Sequence, residues 1–546
     1  MKRIGVGVSA LALALLVGPN VGAQEITPEE AVSPEAGTPP RAEEEEVEVR
    51  EPAAGDVDWR FRITSEVHSS DNAGFRELNE ESGVQETRET DDRHTFGYTS
   101  VSVGAGYQVL DDTRASFGVS HSGLWGSDQL GGTNEFGGFF FVYDLHVDWR
   151  AIETASFKLN AKIGRQFFDV GGTHRDFFLR DNIDGLTLNL DFGQSGRLRI
   201  LAFDLYASQG RPETVSFLRW HSGRDLVHNM RGQTNTMRFG GVYELTELVE
   251  NLDLRAFGFF ATVGGAGTGA DRTHEGSLGN FADNDFVWMS GARAGYTIPL
   301  EIGQIGVMGE YAYSGGIDRK EVNVGIPDVV IEGHAFGGAI LGQFDLGGLG
   351  VDGIAQYFRA DGPRYRGDGL QLTHGFVSFR GNYTGGLNMG RYSGWRPSAY
   401  LGRRGVHLSE HDLRRESGTQ VIHGALGINL PPGLRLDLGV WQYQDTGSTN
   451  LDLSQENIDF VGDRLPFGES RDRLEAQRRL GRNLGTEFSG SLTFQANTAL
   501  QIYGMGGLFL PGEFYEIEVS RNVGSARGSD DLQNFWAISA GASLAF

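Results

Sequence analysis

From Trp59 onward the chain alternates apolar and polar residues in runs of about 10–14. Trp59, Phe61, Ile63 and Val67 share one parity, and Arg60, Arg62, Thr64 and Glu66 the other. Val101, Val103, Ala105, Tyr107 and Val109 alternate with Ser102, Gly104, Gly106 and Gln108. Tyr143, Leu145, Val147 and Trp149 alternate with Asp144, His146, Asp148 and Arg150, and Leu434, Leu436, Leu438 and Val440 with Arg435, Asp437 and Gly439. Successive side chains of a strand point to opposite faces, so period two predicts strands with one apolar and one polar face.

The connections alternate in length. Short turns fall at 111–113, 152–154, 194–196, 248–251, 301–302, 347–348, 431–433 and 497–498. Long polar segments lie between them, at 71–93, 171–182, 210–233, 267–284, 318–333, 361–374, 448–484 and 515–533, with shorter loops at 129–134 and 409–417. Short turns on one side and long loops on the other predict an all-β fold, a single transmembrane antiparallel up-and-down β-barrel with periplasmic turns and extracellular loops. The count favours about 20 strands, with 18 as the alternative, because Gly385–Trp395 fits neither turn nor strand well. Trp536, Ile538, Ala540, Ala542, Leu544 and Phe546 share one face of a last strand, which resembles the assembly signal of bacterial outer-membrane barrels. Trp59, Tyr107, Trp149, Trp288, Tyr296, Trp441 and Trp536 are candidates for the aromatic girdles at the two membrane interfaces.

The N-terminal region is of a different kind. Lys2 and Arg3 precede an apolar run, Ile4 to Val17, and Val21-Gly22-Ala23, so residues 1–23 are expected to be a signal peptide. Residues 24–57 carry eleven acids against two arginines, with prolines and no aromatics, and are expected to form an acidic disordered periplasmic tail. The barrel domain is then 58–546. The predicted location is the outer membrane of a Gram-negative bacterium.

Composition narrows the chemistry. Glycine makes up 81 of 546 residues, about twice its usual share, without a collagen period. Cysteine is absent, which excludes thiol catalysis, cysteine metal sites and disulfides. The 13 histidines form no metal-ligand motif, and His121 between Ser120 and Ser122 is the sole local hint of a hydrolase arrangement. No enzyme activity and no cofactor is predicted. The net charge of -25 argues against nucleic acid. Only the acidic tail precedes the barrel, too little for the plug of a TonB-dependent receptor.

What remains is a conduit. On the polar parity lie Arg60, Arg62, Arg150, Arg197, Arg199, Arg238, Arg255, Arg293, Arg380 and Arg435, with Glu66, Asp144, Asp148, Asp191, Asp253, Asp437 and Glu487. An Arg or Lys facing lipid at the midplane costs about 2–4 kcal/mol, so this face is wet or paired. Two readings stay open for each arginine: a fork for carboxylate recognition, or one half of a salt bridge bracing the wall. Acid concentrates outside the membrane span, in the tail and in 71–93. Glu469–Arg482, with five arginines, is either a basic constriction at the mouth or an exposed charged helix.

Two segments carry a resemblance. One is Gly164-Arg165-Gln166-Phe167-Phe168-Asp169-Val170-Gly171-Gly172, followed by Arg175, Arg180-Asp181 and Asp184-Gly185-Leu186-Thr187-Leu188. The other is Leu484-Gly485-Thr486-Glu487-Phe488, a strand to Gln495, and Phe509-Leu510-Pro511-Gly512-Glu513-Phe514. Together they resemble the alginate-export family of outer-membrane β-barrels. The resemblance implies passive export of an anionic exopolysaccharide through an Arg-lined pore gated by loops. By position it makes Arg165, Arg175 and Arg180 pore or constriction residues, beside Arg238, Arg255, Arg293, Arg380 and Glu487 on the luminal parity. Arg165 falls on the apolar parity of Ile163, so it needs a bulge at Gly164 to turn inward. The partners expected are an anionic polysaccharide, outer-membrane lipid and lipopolysaccharide, and a periplasmic scaffold or secretion-complex protein. The alternative is a general or anion-selective diffusion porin for small solutes.

Overall fold

The computed structural model describes residues 55, 57–71, 94–125, 139–170, 178–204, 237–245, 249–265, 283–318, 329–362, 364–366, 371–373, 375–376, 419–446, 483–512, 517–519, 526–528 and 534–546. The segments expected to be signal peptide and acidic tail lie almost wholly outside these, as do Arg175, Arg380 and Glu469–Arg482.

In chain order the strands are β1 (Val57–Asp71), β2 (His94–Leu110), β3 (Thr113–Trp125), β4 (Phe139–Glu153), β5 (Lys158–Asp169) and β6 (Arg180–Asp191). There follow β7 (Arg197–Asp204), β8 (Met237–Leu245), β9 (Leu252–Gly265), β10 (Asp283–Leu300), β11 (Gly303–Asp318), β12 (Val329–Asp345) and β13 (Gly350–Ala360). A small hairpin, β14 (Arg364–Arg366) and β15 (Gln371–Thr373), precedes β16 (Thr419–Leu430), β17 (Leu434–Asp445), β18 (Asn483–Gln495) and β19 (Leu500–Pro511). A second hairpin, β20 (Ile517–Val519) and β21 (Ala526–Gly528), precedes β22 (Phe535–Ala545). Setting the two hairpins aside, 18 strands pair antiparallel in sequence order, and β22 pairs β1 to close a barrel.

All eight expected short turns join wall strands. The count of 20 is corrected to 18 because β13 pairs β16 directly, Arg359 opposite Gln420, so residues 361–418 form one connection. The alternation around Phe376 and Phe379 had suggested two more wall strands there. Closure is sealed at the turn end: Phe61 and Phe546 exchange backbone hydrogen bonds of 2.8 and 3.0 Å, their rings 5.0 Å apart.

The two parities face as expected. Trp59, Tyr107, Trp149, Ile163, Tyr296, Tyr311 and Ile340 are exposed on the outer wall. Two positions depart. A bulge pairs Gly118 with Asp144 and Val119 with Val142, so Tyr143 leaves the outer face and is buried inside over Gly118. Trp441 sits on the luminal parity with Asp437 and Gly439, stacked on His423 at 4.5 Å, and is no girdle residue.

Candidate functional site: the lumen

Inward-facing residues divide the lumen into two levels. At the turn end the wall is charged. In one row across seven strands, Lys158 (β5), Asp191, Arg197, Glu244, Arg255, Arg293 and Glu310 (β11) stand opposite one another in register. Carboxylates take up the guanidinium forks. Arg293 gives Nε and Nη2 to Glu310 at 3.0 and 2.7 Å, with both side chains buried. Arg255 holds Asp253 at 3.0 and 2.8 Å, and Arg199 bridges Glu244 and Asp169. Arg435 binds Asp352 through two nitrogens, and Asp437 as well. Higher up, Arg238 donates to Asp204, which also accepts the Asp184 backbone N–H at 2.9 Å. Glu487 is fully buried, accepting from Tyr443 at 3.3 Å and Ser489 at 2.6 Å.

Of the two readings of the luminal arginines, bracing therefore fits Arg238, Arg255 and Arg293. Their forks are filled, and at 3% and 4% exposure Arg238 and Arg293 have no surface to offer a passing polymer. Glu487 is likewise a wall residue.

Arg165 is corrected outright. Gly164 has φ +122°, yet Arg165 stays in phase with Ile163 on the outer wall. There its Nε and Nη2 bind both oxygens of Asp184, at 2.8 and 2.6 Å, and Nη1 binds the Val142 carbonyl at 2.9 Å. A bidentate ion pair neutralises the charge on a surface that faces lipid, and nothing turns it into the pore. Arg180 opens β6 opposite Asp169. His121, opposite Val101, is exposed on the outer wall.

At the loop end the same parity turns apolar. On β9, Asp253 and Arg255 are followed inward by Phe257, Phe259 and Ala261. A continuous cluster of buried apolar side chains draws on every wall strand from β5 round to β22, leaving β1–β4 outside it. Two loop segments enter it. Phe178 and Leu179, just before β6, are completely buried. The Phe178 ring meets Phe257 at 5.1 Å, Phe376 at 6.1 Å and Phe358 at 6.4 Å, so the β5–β6 connection reaches side chains of β9 and β13. Phe376 follows Gly375, at φ +69°, and donates its N–H to Asp361 at 2.9 Å. It lies over Gly333, where a Cβ would sit 2.1 Å from the Phe376 nitrogen. The alternation missed this collar, though Phe177-Phe178-Leu179 inside an otherwise polar loop was a usable signal.

Eighteen strands, lipid-facing apolar girdles and a charged interior define a transmembrane barrel of the outer-membrane type. No protein-family model and no curated protein matches the sequence. Among solved structures, the chain is similar to the outer membrane protein OprD from Pseudomonas aeruginosa, at 11% identity and TM-score 0.44, over 91% of this chain and 97% of that one. It is similar to OccAB1 of Acinetobacter baumannii at 10% identity and TM-score 0.43, over 91% and 99%. A third likeness is to Wzi, a carbohydrate-binding barrel involved in group 1 capsule assembly in Escherichia coli, at 10% identity and TM-score 0.40, over 88% and 83%. Likenesses this low carry no inference about what passes through the barrel.

Proposed function

We propose that the protein is an outer-membrane channel for passive export of an anionic exopolysaccharide, held shut in its outer half by the apolar collar. One observation carries the reading: a charged, water-compatible vestibule at the turn end lies beneath an apolar layer into which two loop segments are inserted. A diffusion porin for small solutes has no use for an apolar barrier in its water path, whereas an exporter must stay closed between polymers. Hydrophobic constrictions gate by excluding water. The neutralised arginine ladder favours the second reading, a small-solute porin, because it removes the continuous Arg lining that would guide a polyanion. Lipid and lipopolysaccharide would surround the wall, and a periplasmic scaffold protein would meet the turns. No chemistry on the cargo is invoked.

The test is the reversal potential in a planar bilayer under a salt gradient, using barrels opened by Phe178→Ala. Anion selectivity that added polygalacturonate reduces is the expected result. Cation selectivity, or indifference to the polymer, would overturn the export reading in favour of a porin.

A further inference from the structure

Most luminal cations named above are fully engaged, and that singles out the exceptions. Arg60 touches Asp144 once, through Nη2 at 3.8 Å, and its Nε has no hydrogen-bond partner among the described residues. Lys162 meets Asp148 at 3.5 Å, and Arg114 gives Asp58 one hydrogen bond of 3.0 Å. These three side chains are 33%, 33% and 36% exposed, against 2–3% for Arg293 and Arg238.

They rim a floor that is nearly bare of side chains. Register places Arg60, Gly104, Gly118 and Asp144 in one row across β1–β4. The next row holds Asp58, Gly106, Ser116, His146 and Gly164, and the row below it Gln108, Arg114, Asp148 and Lys162. The glycines let long side chains lie flat. A Cβ at Gly106 would be 2.2 Å from Arg114 Nη2, and one at Gly104 would be 3.1 Å from Tyr143 Oη and 3.6 Å from Arg60 Nε. The bulge at Tyr143 completes one side of this shallow hollow. It opens at the turn end of the lumen, on the β1–β4 sector that the apolar collar leaves uncovered.

We infer that this hollow is a binding station for the carboxylate groups of an acidic saccharide, with Arg60, Arg114 and Lys162 as its contacts. The inference deepens the export reading and rests on it. Each cation holds its own carboxylate by one contact at a partly exposed site, so a ligand carboxylate can replace that partner while Asp58, Asp144 or Asp148 returns to water. Such an exchange is closed to the buried pairs, where removing a partner strands a charge. With Arg62 included, four cations face three carboxylates, a small surplus that attracts a polyanion without trapping it. Five strands about 4.8 Å apart span about 19 Å, so several charged groups of one chain can engage together.

The test is calorimetric titration of the full-length barrel in detergent with tetragalacturonate, and with maltotetraose as the uncharged probe. Because the vestibule lies beneath the collar, binding there is independent of whether the channel is open. Wild type is expected to bind the acidic tetramer alone, more weakly as salt is raised. Arg60→Gln combined with Lys162→Gln should lower affinity by about tenfold or more, as loss of charge-assisted hydrogen bonds implies. Arg165→Gln, on the outer wall, should bind as wild type does. Heat-modifiable gel mobility shows whether each variant is a folded barrel. Undiminished binding by the folded double variant, or no binding by wild type, would overturn the inference. If the opened channel is anion-selective and polymer-blocked while the hollow binds nothing, export stands and the station falls. If the tetramer binds but the channel is cation-selective, the hollow stands and export falls.

Discussion

Removing the ring of Phe178 tests whether the apolar collar is the barrier to flow. In the closed arrangement this side chain is completely buried and borders three other phenylalanine rings. Burying a phenylalanine contributes about 1.5–3 kcal/mol, and the cavity left by truncation brings the cost of Phe→Ala to about 3–5 kcal/mol. When the loop leaves the lumen the residue is in water, where the same truncation costs almost nothing. The whole penalty therefore falls on the closed arrangement. At about 1.4 kcal/mol per decade, the open-to-closed ratio rises by two to three orders of magnitude. The wall is held by backbone ladders that do not involve residue 178, so the barrel persists, checked by heat-modifiable mobility. Single-channel recording in planar bilayers then reads the open probability directly. Phe178→Asp, which places a charge in the collar, should open the channel further still. Wild-type conductance in both folded variants would refute the reasoning and mean that passage, if any, bypasses the collar.

The remaining predictions address other parts of the molecule. Gly333→Ala drives a methyl into the Phe376 backbone and should raise open probability as Phe178→Ala does, in the same recordings. Arg293→Ala leaves Glu310 buried without its partner and should lower stability by about 3–5 kcal/mol, whereas Arg293→Met with Glu310→Leu should be near neutral; urea titration of folded barrel in bilayers separates the two. Gly118→Ala puts a methyl 2.5 Å from the Tyr143 ring and should expel that ring from the lumen, read as a red shift and stronger quenching by iodide of a Trp substituted at 143. Phe546→Ala removes the ring stacked on Phe61 at the closing seam and should reduce the folded fraction after refolding into vesicles, measured by gel mobility.

The outer wall was legible because membrane and water impose opposite demands on alternate residues, and a period of two survives in sequence wherever both hold. Turns were legible for the same reason: the short connections sit where two alternating runs meet without room for a loop. The strand count failed at 361–418, where an alternating stretch lies in a connection and only pairing between β13 and β16 reveals it. Tyr143 failed because a bulge shifts parity by one residue without leaving a mark in the hydrophobic pattern. The collar failed for a deeper reason. Where the lumen itself is apolar, both faces of a strand are apolar and alternation vanishes: Ala256 to Val263 on β9 carries one polar side chain, Thr262. Such a run in a barrel strand, rising from a charged pair like Asp253 and Arg255, is the sequence mark of a lumen that changes character along its axis.

Pairing also changes how selectivity must be argued. A list of luminal arginines suggests a positive pore, but the field a passing ion meets depends on exposed, uncompensated charge. Arg238 and Arg293 contribute little to it, because each lies beside a carboxylate and away from water. Partly exposed, loosely paired groups dominate, since their partners are screened and distant. On this wall those groups cluster on β1–β5, so the cationic surface is one sector and not a ring. A polyanion would then be held against one side of the vestibule, beside the sector that the apolar collar does not cover. Charge reversal should expose this asymmetry: Lys162→Glu is expected to move the reversal potential of an opened barrel toward cations, and Arg293→Gln to leave it in place. Equal shifts from the two substitutions would mean that the buried pairs do open to the water path, and the one-sided vestibule would have to be given up.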